Sequence, residues 1–208
     1  SDFAVLYRTN AQSNAIEQVF ARSGIPYRVL GGMRFYERKE IKDILSYLCL
    51  IVNPTDDLRL KRVVNEPKRK LGDTTVAAVE ALARTEGVSM AEIMRNADSY
   101  VALRTAAARL REFVELIGDL RAVSQETSIS ETIRQTIDRT GYRHMLEVGG
   151  EEGKDRLQNC EELISNAVEY EQSNPQATLQ SFLEEVALIS DIDRYDSDGN
   201  AAVLMTVH

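Results

Sequence analysis

The chain has 208 residues, 43% of them hydrophobic and 28% charged, which suffices for one ordinary core or two small ones and excludes a disordered segment. No run of about 18 apolar residues occurs and no basic-then-apolar leader opens the chain, so neither a membrane span nor a secretion signal is readable and a cytoplasmic protein is expected. A net charge of -8 excludes general coating of a nucleic acid, because a polyanion repels such a surface unless positive charge is gathered locally.

In chain order, Phe3 to Arg8 is a short β-branched and aromatic run that predicts a strand. Ala11 to Arg22 then sets Ala15, Ile16, Val19 and Phe20 at helical spacing. Gly24 ends that helix, Pro26 holds Ile25 extended, and Tyr27 to Leu30 reads as a second strand stopped by Gly31 and Gly32. The pattern is a βαβ unit of a parallel sheet.

From Glu40 the period becomes helical. Ile41, Ile44, Leu45, Leu48 and Ile51 form a stripe that Asn53-Pro54 ends, and Asp56 caps a short helix through Val64. A helix from Asp73 or Thr74 to Gly87 follows, then a brief one capped by Ser89. Val101 to Val123 is expected as one long helix, followed by helices over Ser130 to Arg139, Lys154 to Glu171 and Thr178 to Leu188. Asp191 to Asn200 reads as a mobile linker, and Ala202 to Val207 returns to strand character. The fold expected is mainly α: roughly 165 residues of helix, a normal domain length, bracketed by a small parallel-sheet α/β remnant. The strand that stops at Val207-His208 reads as a boundary within a longer chain.

Charge and cysteine usage narrow the chemistry. Arg59, Lys61, Arg62, Lys68, Arg69 and Lys70 stand against Glu66 alone, a basic segment whose plain reading is a solvated helix end and loop. Cys49 and Cys160 sit in helical apolar patterns, so buried thiols are expected in place of a disulfide or metal site. His144 and His208 are too few and too distant for a zinc cluster. Gly149-Gly150-Glu151-Glu152-Gly153-Lys154-Asp155 imitates a phosphate-binding P-loop but has three residues between its glycines, no hydroxyl after the lysine and no preceding strand. It is expected to be a flexible helix-helix connection. The Asp191 to Asp198 run fails as a calcium loop, because aligning Gly199 puts Arg194 and Met205 where carboxylates belong.

Other strings are more specific. Phe3-Ala4-Val5-Leu6-Tyr7-Arg8-Thr9-Asn10-Ala11-Gln12-Ser13 and Ile25-Pro26-Tyr27-Arg28-Val29-Leu30-Gly31-Gly32-Met33-Arg34-Phe35-Tyr36-Glu37-Arg38-Lys39-Glu40-Ile41-Lys42-Asp43 closely resemble the entry into the second motor domain of UvrD/PcrA-type superfamily 1 DNA helicases. The resemblance continues through Asn53-Pro54, Asp56-Asp57, Asn65, Pro67-Lys68-Arg69, Ala187-Leu188-Ile189-Ser190-Asp191 and Leu204-Met205-Thr206-Val207-His208. From about Val88 to Asp138 it adds little beyond helical pattern.

The resemblance implies an internal fragment of an ATP-driven motor that moves 3′ to 5′ on single-stranded DNA, acting in repair or replication. Residues 1–33 would be part of the RecA-like 2A domain, 34–200 the inserted helical 2B domain, and 201–208 the returning 2A strand. ATP and Mg2+ would be bound by the full-length protein and not by this piece, which is expected to be inactive as an ATPase. DNA, as single strand and duplex junction, would be the partner, with repair proteins besides and no membrane. By resemblance Thr206 and His208 touch the single strand. Arg8, Thr9, Asn10 and Ser13 lie where a strand's carboxyl end meets a helix, the usual ligand position in open α/β sheets; Asn14 stands where the family commonly has Arg. Lys68, Arg69, Lys70, Gly72 and Thr74 fall in a loop like the family's Pro-Lys-Arg-Gly-Ile-Gly hairpin, which grips duplex phosphates at a helix start, and Lys70 replaces its first glycine. The alternative is a helical protein-interaction module without intrinsic DNA binding, whose acidic helix faces dock a basic partner.

Overall fold

Short strands are marginal in water without partners, and three of them meet here from opposite ends of the sequence. The computed structural model describes residues 3–8, 12–30, 33–192 and 201–206, with the backbone alone at Arg22, Ser190, Asp191, Ile192 and Thr206. Strands β1 (Ala4–Tyr7), β2 (Tyr27–Leu30) and β3 (Ala202–Thr206) form one parallel sheet in the order β1-β3-β2. Val5 and Val29 both pair with Leu204 across its two edges, as the bracketed sequence pattern predicts. Leu204 is fully buried between Tyr7 and Tyr27, with Val5, Ile16, Phe20 and Val29 packed around them. Helix α1 (Ser13–Arg22) contributes Ile16 and Phe20, and Phe20 meets Tyr27 edge to face at 6.0 Å.

The chain divides into two compact units, residues 1–42 with 146–208, and residues 43–145. The first holds the sheet, α1, a 3-10 turn at Phe35–Glu37, and helices α9 (Gly150–Ser173) and α10 (Leu179–Ile192). Its helices are bound to the sheet segment by polar side chains. Asn14 on α1 donates to Glu162 at 3.1 Å and Asn166 at 2.8 Å on α9. Arg38 donates to Asn159 of α9 at 2.7 Å and to Ser13 of α1 at 2.9 Å, and Asn159 donates to Glu40 at 2.6 Å. Asn14 thus ties α1 directly to α9, and Arg38 links Ser13 to Asn159, so α9 meets the sheet segment through side chains as well as through the chain connections.

Two further expectations change in this unit. Gly149 to Gly153 is no loose connection, because α9 already begins at Gly150, whose φ of 69° is a left-handed value that favours glycine. A Cβ on Gly153 would lie 1.9 Å from the Leu146 carbonyl oxygen, so this glycine permits a close backbone approach. The linker expected from Asp191 is helical at Asp191 and Ile192, and the rest of it, 193–200, lies outside the described residues.

The second unit is built wholly of helices: most of α2 (Lys39–Val52), then α3 (Asp57–Val63), α4 (Asp73–Glu86), α5 (Met90–Arg95), α6 (Ala107–Glu126), α7 (Ile129–Arg139) and the start of α8 (Tyr142–Glu147). Helix starts follow side-chain chemistry: Asp56 accepts from Arg59 N at 3.0 Å, Ser89 from Glu92 N at 3.3 Å and Ser128 from Glu131 N at 3.2 Å. Gly87 closes α4 in the left-handed region at φ 68°. Ile44, Tyr47, Leu48, Leu60, Val63, Leu71, Met90, Leu110, Phe113, Ile133 and Tyr142 form the buried interior. The long helix expected from Val101 starts only at Ala107, after 3-10 turns at Ala97–Ser99 and Val101–Leu103. Leu103 is buried from its turn while Val101 is exposed, so a core contact at helical spacing is made without a helix. Neither cysteine is in a disulfide; Cys160 is buried and Cys49 half-buried. Among the described residues no helix is long and apolar enough to cross a membrane.

Candidate nucleic-acid interface

The basic segment between α3 and α4 is held by its own polar side chains. The Asn65 side-chain oxygen accepts from the backbone N–H of Arg69 at 2.8 Å and of Leu71 at 3.2 Å, closing residues 65–71 into a tight loop around a cis Glu66-Pro67 bond. Leu71 is buried and pins the far end. Beneath the loop, the Tyr47 hydroxyl lies 3.1 Å from the Val63 carbonyl and 2.7 Å from that of Glu66. Burial pushes the Tyr47 hydroxyl pKa well above its ordinary value, so it stays a neutral donor.

The cations of this segment have different tasks. Lys61 bonds both carboxylate oxygens of Glu80, at 3.0 and 2.9 Å, and Arg62 pairs at 2.8 Å with Asp43, a buried carboxylate that also accepts from Tyr142 at 2.8 Å. Arg69 turns inward. Its guanidinium donates to the carbonyls of Val63 at 3.2 Å, Pro67 at 3.0 Å and Thr140 at 3.0 Å, and stands 5.4 Å from the Phe113 ring centre and 5.9 Å from that of Tyr47. Lys68 and Lys70 point outward and are exposed. Lys70 adopts φ 58°, the left-handed region where glycine is favoured, at the position where the resembling hairpin has glycine. Gly72 stands in the N-cap position of α4 in extended conformation without a side-chain cap, and Gly72 and Thr74 are exposed at that helix start.

The candidates at the sheet are placed differently. Arg8 is exposed, with its backbone N–H on Gln12 Oε1 at 3.0 Å. Thr9, Asn10 and His208 lie outside the described residues, and only the backbone of Thr206 is described, within β3. Ser13 is fully buried, donating to Glu17 and accepting from Arg38. Glu17 also takes the Phe35 backbone N–H at 3.0 Å. Burial lowers the pKa of Arg38, against which the Glu17 and Glu40 carboxylates act to raise it. Sequence reading missed this cluster, although Arg38 and Glu40 both lie in a quoted motif string; their partners Asn159 and Glu17 carry no local signal. The P-loop imitation is a helix surface, where Lys154 bonds Glu151 at 2.6 Å one turn away.

The sequence profile of the UvrD-like helicase C-terminal domain matches residues 1–208. The chain belongs to that family. It is 40% identical over its whole length to the ATP-dependent DNA helicase PcrA of Bacillus subtilis (strain 168), and 39% to the helicase of the same name from Staphylococcus aureus (strain Mu50 / ATCC 700699). In both comparisons the chain spans 29% of the relative's length. The match runs through the stretch from Val88 to Asp138, where individual motifs were weakest.

Proposed function

We propose that this chain is the inserted helical 2B domain, with the flanking parts of the 2A motor domain, of an ATP-dependent 3′ to 5′ DNA helicase working in repair or replication. In this reading residues 1–33 and 201–208 belong to 2A and 34–200 to 2B. The whole protein binds ATP and Mg2+ through parts outside this chain; the chain itself contributes DNA contacts and domain motion, without hydrolysis.

The observation that carries the reading is the loop of residues 65–72. Two lysines face solvent on a loop whose backbone is fixed by Asn65, Arg69 and Tyr47, next to a helix start without a side-chain cap. Such a surface suits duplex phosphates: Lys68 and Lys70 supply charge, while Gly72 and Thr74 offer backbone N–H and hydroxyl groups. Arg69 serves the same surface by holding it in shape. Arg8, Thr9, Asn10, Thr206 and His208 are proposed as the single-strand contacts at the sheet, with Ser13 bracing the turn before α1 from inside.

The test is binding of a fluorescent duplex with a single-stranded tail. A Lys68→Ala/Lys70→Ala variant should bind more weakly, and its log affinity should fall less steeply with log salt, by about 1.8 for two contacts at roughly 0.9 each. Unchanged affinity and slope would return the loop to a solvated turn and favour the interaction-module reading. Phosphate release with saturating single-stranded DNA should be absent, and turnover abolished by Lys154→Ala would instead reveal a nucleotide site at Gly149 to Lys154.

A further inference from the structure

The helical unit of residues 43–145 carries an apolar pocket of about 180 Å³ walled by α2, α3, α5 and α6. Its floor is made by Leu50, Leu60, Phe113 and Ile117, all buried. Arg95 of α5 and Arg121 of α6 also line it, and both are exposed, so they stand at its open side. On α6 the lining residues Phe113, Val114, Ile117, Gly118 and Arg121 keep to one helical face, while the carboxylates Glu112, Glu115 and Asp119 fall on the other. Among the described residues no carboxylate lines the pocket.

Two of its features are not required by the fold. Gly118 lies inside α6, although glycine is a poor helix former. A Cβ there would meet nothing within 4 Å, so no close backbone approach demands the glycine; its missing side chain leaves the pocket open. Arg95 and Arg121 take no hydrogen bond or ion pair through their side chains among the described residues. In the same unit Arg62, Arg84, Arg111, Arg134 and Arg143 each pair with a carboxylate. Two guanidinium groups without acceptors beside an apolar pocket invert the charge locally, in a chain of net charge -8.

Size and charge together define the occupant. Pockets for whole small molecules run to roughly 300–1,000 Å³, whereas a cavity of about 150 Å³ lined by Leu, Ile and Phe takes one benzene ring. The pocket thus has room for one aromatic side chain. Two free guanidinium groups call for two carboxylates, and a free aryl acid supplies one. A peptide with acidic residues on both sides of an aromatic supplies the ring and both charges, the pattern of a buried anchor inside a charged rim.

We infer that this pocket docks an acidic segment of a partner protein, which inserts one aromatic side chain against Leu50, Leu60 and Ile117 and sets its flanking carboxylates on Arg95 and Arg121. The inference stands apart from the DNA contact proposed at the loop. It is also opposite in charge to a module that docks basic partners through acidic helix faces.

The experiment measures anisotropy of a fluorescein-labelled short peptide, one phenylalanine between two pairs of aspartates, with the full chain and its variants. Saturable binding is expected. Alanine in place of the peptide's phenylalanine, or serines in place of its aspartates, should each weaken it at least about tenfold. Gly118→Leu puts a side chain into the pocket from a better helix former, so it should lose at least about tenfold while the unfolding midpoint is kept or raised. Arg95→Gln/Arg121→Gln should lose about tenfold and most of the salt dependence. Lys68→Ala/Lys70→Ala changes net charge equally and should bind the peptide as before. Absence of saturable binding, binding that survives Gly118→Leu, or an equal loss in the lysine variant would overturn the inference. Displacement of the peptide by an equal concentration of phenylacetate would reassign the pocket to a free aryl acid and overturn it too. Affinity for a tailed duplex should be unchanged in Gly118→Leu; a loss there would make the pocket part of the DNA surface, whereas a failure of the loop reading alone leaves peptide binding intact. Circular dichroism establishes that each variant is folded, and the exposed arginine pair carries the test should Gly118→Leu not fold.

Discussion

Lys70 and Arg69 are neighbours with opposite assignments, and substitutions separate them. A left-handed backbone costs an ordinary L-residue roughly 1–2 kcal/mol, part of which glycine returns through its larger unfolded-state entropy. Lys70→Gly should therefore raise stability in urea unfolding by about 0.5–1 kcal/mol while lowering duplex affinity. A variant that is both less stable and equally tight in binding would contradict both halves of that statement. Arg69→Ala removes donors to the carbonyls of Val63, Val64, Pro67 and Thr140 and a cation above two rings, so a loss of about 2–4 kcal/mol is expected. Arg69→Lys should rescue little, because an ammonium cannot span the carbonyls of Pro67 and Thr140 together. The basic run was legible in the sequence as charge. Its division into two outward lysines and one inward arginine was not, because Thr140 and Phe113, which draw Arg69 in, are distant in the chain.

Among the helices, the legible ones are those whose signals are local. The starts of α3 and α5 lie where Asp56 and Ser89 predict them, and α4 ends at its glycine cap, because each is decided by groups within a turn of one another. The start of α6 was misread because Leu103 keeps the helical spacing while sitting in a separate turn. The start of α9 was misread because glycines suggest a break when only the chain is considered; the Leu146 carbonyl that crowds Gly153 belongs to another element. Two glycine substitutions test this distinction by thermal or urea unfolding. Gly153→Ala places a methyl against backbone and should cost about 1–3 kcal/mol. Gly118→Ala, inside α6 with nothing within 4 Å of the added Cβ, should stabilise by about 0.5–1 kcal/mol. Equal effects at the two sites would mean that the close approach at Gly153 is absent in solution.

At the scale of the whole molecule, the bracketed layout was readable because both ends carry strand patterns too short to stand alone. The bonding of α1 to α9 was not, since Asn14 and Asn159 on helices and Arg38 in the link before α2 are polar residues that look solvated in a linear reading. The division into units yields a further expectation. Deleting residues 201–208 removes the central strand and the buried Leu204, leaving β1 and β2 without a neighbour. Hydrogen exchange should then lose protection in β1 and β2 while residues 43–145, which have their own core, keep theirs. Loss of protection throughout would show that the two units fold as one.

That strand order also bears on how the chain is made. β2 is complete about 170 residues before its partner β3 leaves the ribosome, an interval of roughly 10–35 s at about 5–20 residues per second. Throughout it, the edges that Leu204 and its neighbours will fill stay open on the nascent chain, next to Tyr7 and Tyr27. Residues 43–145 are contiguous and emerge entirely within that window, so the helical unit is free to fold first. The newborn protein thus carries a finished helical body and an unfinished sheet for tens of seconds, and those two open strand edges are where a holding chaperone would be needed.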